Sequence, residues 1–302
     1  MAPAPIAPPQ PPPRASLRPR KAGPRLPWPA LLFVPAIIIM LSLVLACLIL
    51  LRYSLNSWDP VRTMVTDWTP KNYLAFFRDP VLIRAFLNTL RLSVIVTLVC
   101  LALGYPVAYG ISRSRHRNLL VFLLITPMLM DVLVRAYGWI VMLSQRGLVN
   151  VLLTSLGIWS RPQRLLFTEL SVILELIHEL IPFMVLPMAS VLERIDPSLH
   201  EAAMNLRAGP IRTFLYVTLP LSLPGVMAGT LLTFALAMSA FVAPLVLGGG
   251  RVLTMTMLIQ QQMLTTLNWP LGSAQAVVLV LIVLAILAVY GRLVSRAVGG
   301  GA

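Results

Sequence analysis

Charge is scarce in this chain: 11% of its 302 residues are Asp, Glu, Lys or Arg, against about 25% in an ordinary soluble domain. With 58% of the residues hydrophobic, that shortage excludes a soluble globular protein and leaves a chain whose solvent is largely lipid. Histidine is limited to His116, His178 and His200, and the only cysteines, Cys47 and Cys100, sit inside apolar runs. Neither set has metal-ligand spacing, so both thiols read as small buried hydrophobes. His178-Glu179 opens like the zinc signature H-E-x-x-H, but Pro182 stands where the second histidine must be to share a helix face. No G-x-x-x-x-G-K-[ST] stretch occurs, and Gly248-Gly249-Gly250-Arg251 reads as a turn rather than a phosphate cradle. The chain therefore carries no nucleotide-hydrolysing loop and no metal site of its own.

Long apolar runs are abundant. Six of them reach about 18 residues or more, the length a helix needs to cross a hydrocarbon core: roughly 28–51, 86–111, 119–143, 170–192, 218–245 and 273–291. The expected fold is an all-α membrane protein with six transmembrane helices in one domain, 28–291. Residues 1–27, crowded with proline and carrying Arg14, Arg18, Arg20, Lys21 and Arg25, cannot pack a core and read as a disordered basic tail; residues 292–302 read as a short second tail. The first run lies too late for a signal peptide and reads as a retained span. A formal net charge of +14 would suggest nucleic acid in a soluble protein. Here the basic residues lie in the tail and in short loops beside apolar spans, so anionic headgroups and topology account for them. Six spans put both termini on one side, and the excess of Lys and Arg in the tail and alternate loops puts that side in the cytoplasm.

This orientation leaves loops near 52–85, 144–169 and 246–272 outside and the loop at about 193–217 inside. The first two outer loops interleave Asp59-Pro60, Thr69-Pro70, Asp79-Pro80 and Arg161-Pro162 with Trp58, Trp68, Phe76 and Phe77, a composition of turns and interfacial anchors. In the inner loop, Asp196-Pro197-Ser198 predicts a helix start, with aspartate at the cap and proline in the first turn. A short helix follows through Glu201 to Leu206. Gly209-Pro210 breaks it, and a second helix from Ile211 carries Thr218-Leu219-Pro220 back toward the membrane.

Glu201-Ala202-Ala203 and, nineteen positions on from Glu201, Pro220 of Leu219-Pro220 resemble the E-A-A loop of ABC-importer permeases. Arg135-Ala136-Tyr137-Gly138-Trp139, Gly147 to Asn150, Leu165 to Thr168, Pro182 to Pro187 and Phe241 to Gly249 are similar to the spermidine/putrescine branch of that family. The resemblance implies a type I importer permease of the bacterial cytoplasmic membrane that imports polyamines, with another small solute, such as an amino-acid conjugate or an organophosphonate, as the alternative. It also implies a second permease subunit, forming a heterodimer, an extracytoplasmic solute-binding protein, and a separate ATPase dimer that binds ATP and Mg and docks on the loop Glu201, Ala202, Ala203, Arg207, Gly209, Leu219 and Pro220. A membrane-embedded enzyme or a self-sufficient secondary transporter is the rival from another class. One departure stands out: the family usually has glycine where this chain has Arg207, and glycine arrives only at Gly209. If the turn needs positive φ there, a side chain costs on the order of 1 kcal/mol.

Charges inside spans mark candidate functional sites. Asp131 falls about twelve residues into the third run, roughly 18 Å along a helix and so near the midplane. Glu175 and Glu179 lie four apart on one face of the fourth. With Arg135, Tyr137, Trp139 and Phe241 they form the candidate translocation pathway, whose carboxylates suit a cationic solute. Asp131 and Arg135, also four apart, form an alternative pair that would neutralise itself. Proline at 182, 187 and 244 and the glycines at 248–250 predict kinks or breaks in the fourth and fifth spans.

Overall fold

The computed structural model describes the backbone of residues 28–299 and the side chains of residues 33–292; the expected N-terminal tail, 1–27, lies outside the described residues. Among them the secondary structure is helical, with one isolated β-bridge between Ser57 and Val65. Contacts divide the chain into two units, Met1–Leu48 and Ile49–Ala302. Helix α1 (Trp28–Ser54) starts in the first unit. Its apolar side chains from Phe33 to Ile49 are exposed, and Cys47 is exposed with them. The expectation that both cysteines are buried therefore holds for Cys100 alone, because Cys47 belongs to a helix whose surface suits lipid.

The second unit continues through α2 (Lys71–Arg78), α3 (Pro80–Arg113), α4 (Arg117–Ile125), α5 (Val132–Leu143), α6 (Leu148–Ser155), α7 (Glu169–Leu192), α8 (Pro197–Asn205), α9 (Pro210–Thr213), α10 (Leu219–Ser239), α11 (Val242–Leu247), α12 (Met255–Gln260) and α13 (Trp269–Gly299). Five helices are long and apolar enough to span a bilayer, and the bent pair 117–129 and 132–155 brings the count to six. Three expected boundaries move. The helix expected from 86 starts at Pro80, because Asp79 caps it by accepting from Val81 N at 2.8 Å and proline suits the first turn. The last helix runs on to Gly299, so the segment expected to follow the last span is helical over 292–299. The fifth helix stops at Ser239, with α11 following a break at Ala240-Phe241.

The third run departs most from the sequence expectation. Instead of one helix over 119–143, the chain forms α4, a 3₁₀ turn at Thr126–Leu129 and then α5, with a bend of 94°. Pro127 lies in that turn, and Asp131, with extended backbone, caps α5 by accepting from Leu133 N at 2.8 Å. Hydropathy averaged over the run does not register the break, since most residues on either side of Pro127 and Asp131 are apolar.

Helices α3, α7 and α10 form the centre. Val96, Cys100, Val172, Leu176, Met184, Val185 and Met188 are buried there. The approach of α10 to α7 depends on glycine: a Cβ on Gly225 would meet Val191 Cβ at 2.9 Å, and one on Gly229 would meet the Met184 carbonyl oxygen at 2.7 Å. Small residues at such crossings let backbones close, which is how helices gain packing where lipid supplies no hydrophobic contrast. The short segments α5 and α11 pack on each other and on α7. Two broken spans thus meet on one side of the central helices.

Candidate functional site

On α5, Arg135 and Trp139 are one turn apart and both face α7. The Nε–H of Arg135 donates to Glu175 Oε1 at 3.1 Å, and Nη2 lies 2.9 Å from Glu179 Oε1, a charge contact without hydrogen-bond alignment. Nη1 donates to the Pro127 carbonyl at 3.4 Å, tying the guanidinium to the 3₁₀ turn of its own broken span. The Arg135 and Glu175 side chains are 6% and 0% exposed, and that of Glu179 is 30% exposed. The cluster is therefore closed at Glu175 and open at Glu179. Trp139 Nε1–H donates to His178 Nδ1 at 3.4 Å, the two rings meeting edge to face. Two carboxylates share one guanidinium, and Glu175 Oε2 is buried with no hydrogen-bond partner among the described residues.

Of the proposed pathway residues, Arg135, Trp139, Glu175 and Glu179 come together. Tyr137, on the opposite side of α5, is exposed, and Phe241 is half-buried at the break before α11. Asp131 is corrected on two counts. It stands at a break rather than inside a continuous helix, and its carboxylate is engaged by backbone N–H groups of α5. It does not neutralise Arg135, whose carboxylate partners are both on α7.

The second group of candidates lies where α3, α7 and α10 converge with the short helices. Asp196 accepts from Ser198 N at 2.9 Å, starting α8 as expected. These bonds hold its carboxyl below the usual range. Helix α8 carries Glu201 and Ala202 exposed and Ala203 buried. It ends in a Schellman turn: Arg207 N–H donates to Met204 O at 2.9 Å and Ala208 N–H to Ala203 O at 3.0 Å. Left-handed backbone falls on Arg207, at φ 57°. Gly209, at φ −69°, does not supply it. Helix α9, a π-helical turn at Phe214–Thr218 and α10 then run on as one helical stretch. Pro220 has no N–H to offer the preceding turn, and the widened turn, in which Leu219 N–H reaches back to Phe214 O, accommodates it.

Sequence reasoning missed how this loop is fastened. Arg117 pairs with Glu193 at 2.7 Å. His200 Nε2 lies 2.5 Å from Arg113 Nη2 and 3.1 Å from Thr218 Oγ1, and Arg113 lies over the Tyr109 ring at 4.5 Å. A guanidinium only donates, so Nε2 accepts and the imidazole proton is on Nδ1. Tyr109, Arg113, Glu193, His200, Glu201, Met204 and Thr218 line an open cleft of about 470 Å³ beside α8. The available signal was the position of His200 immediately before Glu201, but only the fold brings Arg113 and Thr218 to it.

His200 predicts a pH dependence. Partial burial, and then the charge of Arg113, hold its pKa below the ordinary value. The unfolded chain thus takes up the proton before the folded one does, so the fastening is fully present above about pH 6.5 and is lost as pH falls through the lowered value. Glu193, already engaged by Arg117, and exposed Glu201 are the carboxylates lining the same cleft. Hydrogen-exchange protection factors across 197–205 should drop on acidification below about pH 6.5, and His200→Gln should flatten that drop. Equal pH profiles for both proteins would refute the assignment.

A bundle of long apolar helices, with broken spans packed around a buried ion cluster and a helix-turn-helix loop at one end, is the architecture of a multi-pass membrane protein. The chain belongs to the family described as binding-protein-dependent transport system inner membrane component, which matches residues 29–299. It is 39% identical over 226 residues to the spermidine/putrescine transport system permease protein PotB of Haemophilus influenzae, covering 74% of this chain and 79% of that one. It is 36% identical over 256 residues to PotB of Escherichia coli K12, covering 84% and 93%. The inner membrane ABC transporter permease protein YdcU of Escherichia coli K12 is 31% identical over 82% of this chain and 83% of its own. Among solved structures, a bacterial ABC transporter involved in the import of the acidic polysaccharide alginate shares the fold, with TM-score 0.74 at 18% identity over 89% of this chain and 95% of that one.

Proposed function

We propose that this chain is the permease subunit of an ATP-driven polyamine importer. The observation that carries the reading is the intramembrane cluster in which Glu175 and Glu179 share Arg135, closed on one side and open at Glu179. A desolvated ammonium needs a carboxylate, and a cluster with one carboxylate beyond its guanidinium offers one. The names of the PotB relatives support the same solute class. In this reading Phe241, Tyr137 and the break at Asp131 border the route, where irregular backbone is tolerated because it lines a path rather than lipid.

Membership of the family supports the rest of the proposed assembly. A second permease subunit pairs with this one, and an extracytoplasmic binding protein delivers the solute. Both termini and the loop from Glu201 to Pro220 lie in the cytoplasm, where an ATPase dimer docks on that loop and supplies ATP and Mg. Closure of the ATPase pair moves α8, the bonds of His200 pass that movement to Arg113 on α3 and to Thr218 at the start of α10, and the Arg117–Glu193 pair holds the end of α7, where the loop begins, to α4.

The test is uptake of labelled spermidine by membrane vesicles bearing the assembled importer. Loss of one charge-assisted contact is worth about tenfold or more in affinity, so Glu179→Gln should raise the concentration needed for half-maximal uptake by that factor while the complex still assembles. Unchanged spermidine uptake, or transport of an uncharged solute with the same efficiency, would count decisively against the reading.

A further inference from the structure

Two arginines line one cleft, and neither pairs with a carboxylate among the described residues. Beside the cleft already described at α8, and sharing Tyr109, Arg113, His200, Met204 and Thr218 with it, lies a second of about 430 Å³ to which Arg207 and Thr213 contribute. None of the residues lining this second cleft is acidic. Glu193 and Glu201 line the first, and Glu193 is held by Arg117. Arg113 gives one N–H to His200 Nε2 and lies over the Tyr109 ring, which leaves most of its donors unused. The Arg207 guanidinium makes no hydrogen bond or ion pair among the described residues. Its φ of 57° is one that glycine adopts freely and an L side chain adopts at a cost, and strain of this kind collects where ligands are held. The Thr213 hydroxyl donates to the Gly209 carbonyl and that of Thr218 is engaged by His200. Two forked cations and no acid are the chemistry of a phosphate site.

The cleft also lies at headgroup depth. Tyr109 and Arg113 belong to the end of α3, and Thr213 and Phe214 open the stretch that continues into α10. The apolar helical stretches Pro80–Arg113 and Pro210–Ser239 run 34 and 30 residues. At about 1.5 Å per residue each exceeds a hydrocarbon core of about 30 Å, so their ends reach the phosphate layer. Leu215 and Tyr216 are exposed on the second of these stretches, a surface suited to acyl chains. We propose that this cleft binds the phosphate of an anionic phospholipid, held between Arg113 and Arg207, as basic pockets between membrane helices hold headgroups. Because Arg113 also bonds His200 of α8, the lipid ties the loop to the membrane surface. The proposal requires a membrane protein and is independent of the solute and of the ATPase.

The experiment uses the full chain purified in a neutral detergent. Native mass spectrometry counts the phospholipid it retains from mixed micelles of phosphatidylglycerol and zwitterionic phosphatidylcholine, and a separate titration measures binding of inorganic phosphate. Wild type should retain phosphatidylglycerol in preference to phosphatidylcholine. Arg207→Gly should weaken that retention about tenfold, the worth of one charge-assisted contact. Glycine is the residue the turn accepts best, so this loss is not loss of the loop's shape. Arg212→Gln removes an exposed cation that does not line the cleft, and should leave retention unchanged. Equal losses in the two variants would mean diffuse attraction to a basic surface and overturn the site, as would retention by Arg207→Gly as strong as that of wild type. If inorganic phosphate binds in an Arg207-dependent way while phosphatidylglycerol retention ignores Arg207, the ligand is a soluble phosphate compound and the lipid assignment falls.

Discussion

Arg135→Met is expected to destabilise the protein by about 3–5 kcal/mol, the range measured when one partner of a buried ion pair is removed. Glu175 is the reason. Its side chain has no exposure, its Oε2 already lacks a partner among the described residues, and its Oε1 depends on Arg135 Nε at 3.1 Å. Methionine would fill much of the arginine's volume and return none of its charge, leaving a carboxylate stranded between α5 and α7. The same substitution releases the Pro127 carbonyl that Nη1 holds, loosening the turn that breaks the third span. The decisive comparison is with Arg135→Met combined with Glu175→Leu. Replacing both members of a buried pair by apolar groups is often neutral or better, so the double variant should recover most of the loss. Apparent melting in detergent, with the amount of monodisperse protein as a second readout, measures both. A single variant as stable as wild type would mean that the pair contributes nothing to the fold.

The same cluster shows what sequence spacing does and does not convey. Glu175 and Glu179 lie on one helix face because they are four apart, and the structure keeps them there. The identical spacing of Asp131 and Arg135 suggests a pair that does not form, since Asp131 precedes the first turn of α5 and caps it instead. Nothing in a run of apolar residues announces a 94° bend, and Pro127 alone does not, because membrane helices such as α7 run through Pro182 and Pro187 unbroken. The loop at about 193–217 was more legible: Asp196-Pro197 starts its first helix and Gly209-Pro210 its second, since caps and proline act locally. That Arg207 adopts positive φ is also local, and the sequence located the departure without placing its geometry. The fastening through Arg113, His200 and Thr218 joins residues far apart in the chain and needs the packed bundle.

The second large effect concerns the seam between α7 and α10. Gly229→Ala should destabilise the bundle by about 1–3 kcal/mol, the usual cost of inserting a methyl into a close-packed site, and Gly229→Leu should prevent native assembly. The obstacle at Gly229 is backbone: a Cβ there would lie 2.7 Å from the Met184 carbonyl oxygen and 3.3 Å from its Cα. Neither atom belongs to a side chain that can rotate away, so α10 must separate from α7 along the seam. Gly104, on α3, provides the internal contrast. A Cβ at that position would meet Met184 Cγ and Val185 Cγ2 at 3.2 Å and Met188 Cε at 3.4 Å, atoms of side chains that can yield, two of them on flexible methionines. Gly104→Ala should therefore cost less than about 1 kcal/mol, helped by the helix propensity alanine gains over glycine. Melting of the two alanine variants side by side measures the difference. Equal losses would mean that α10 has freedom to shift against α7.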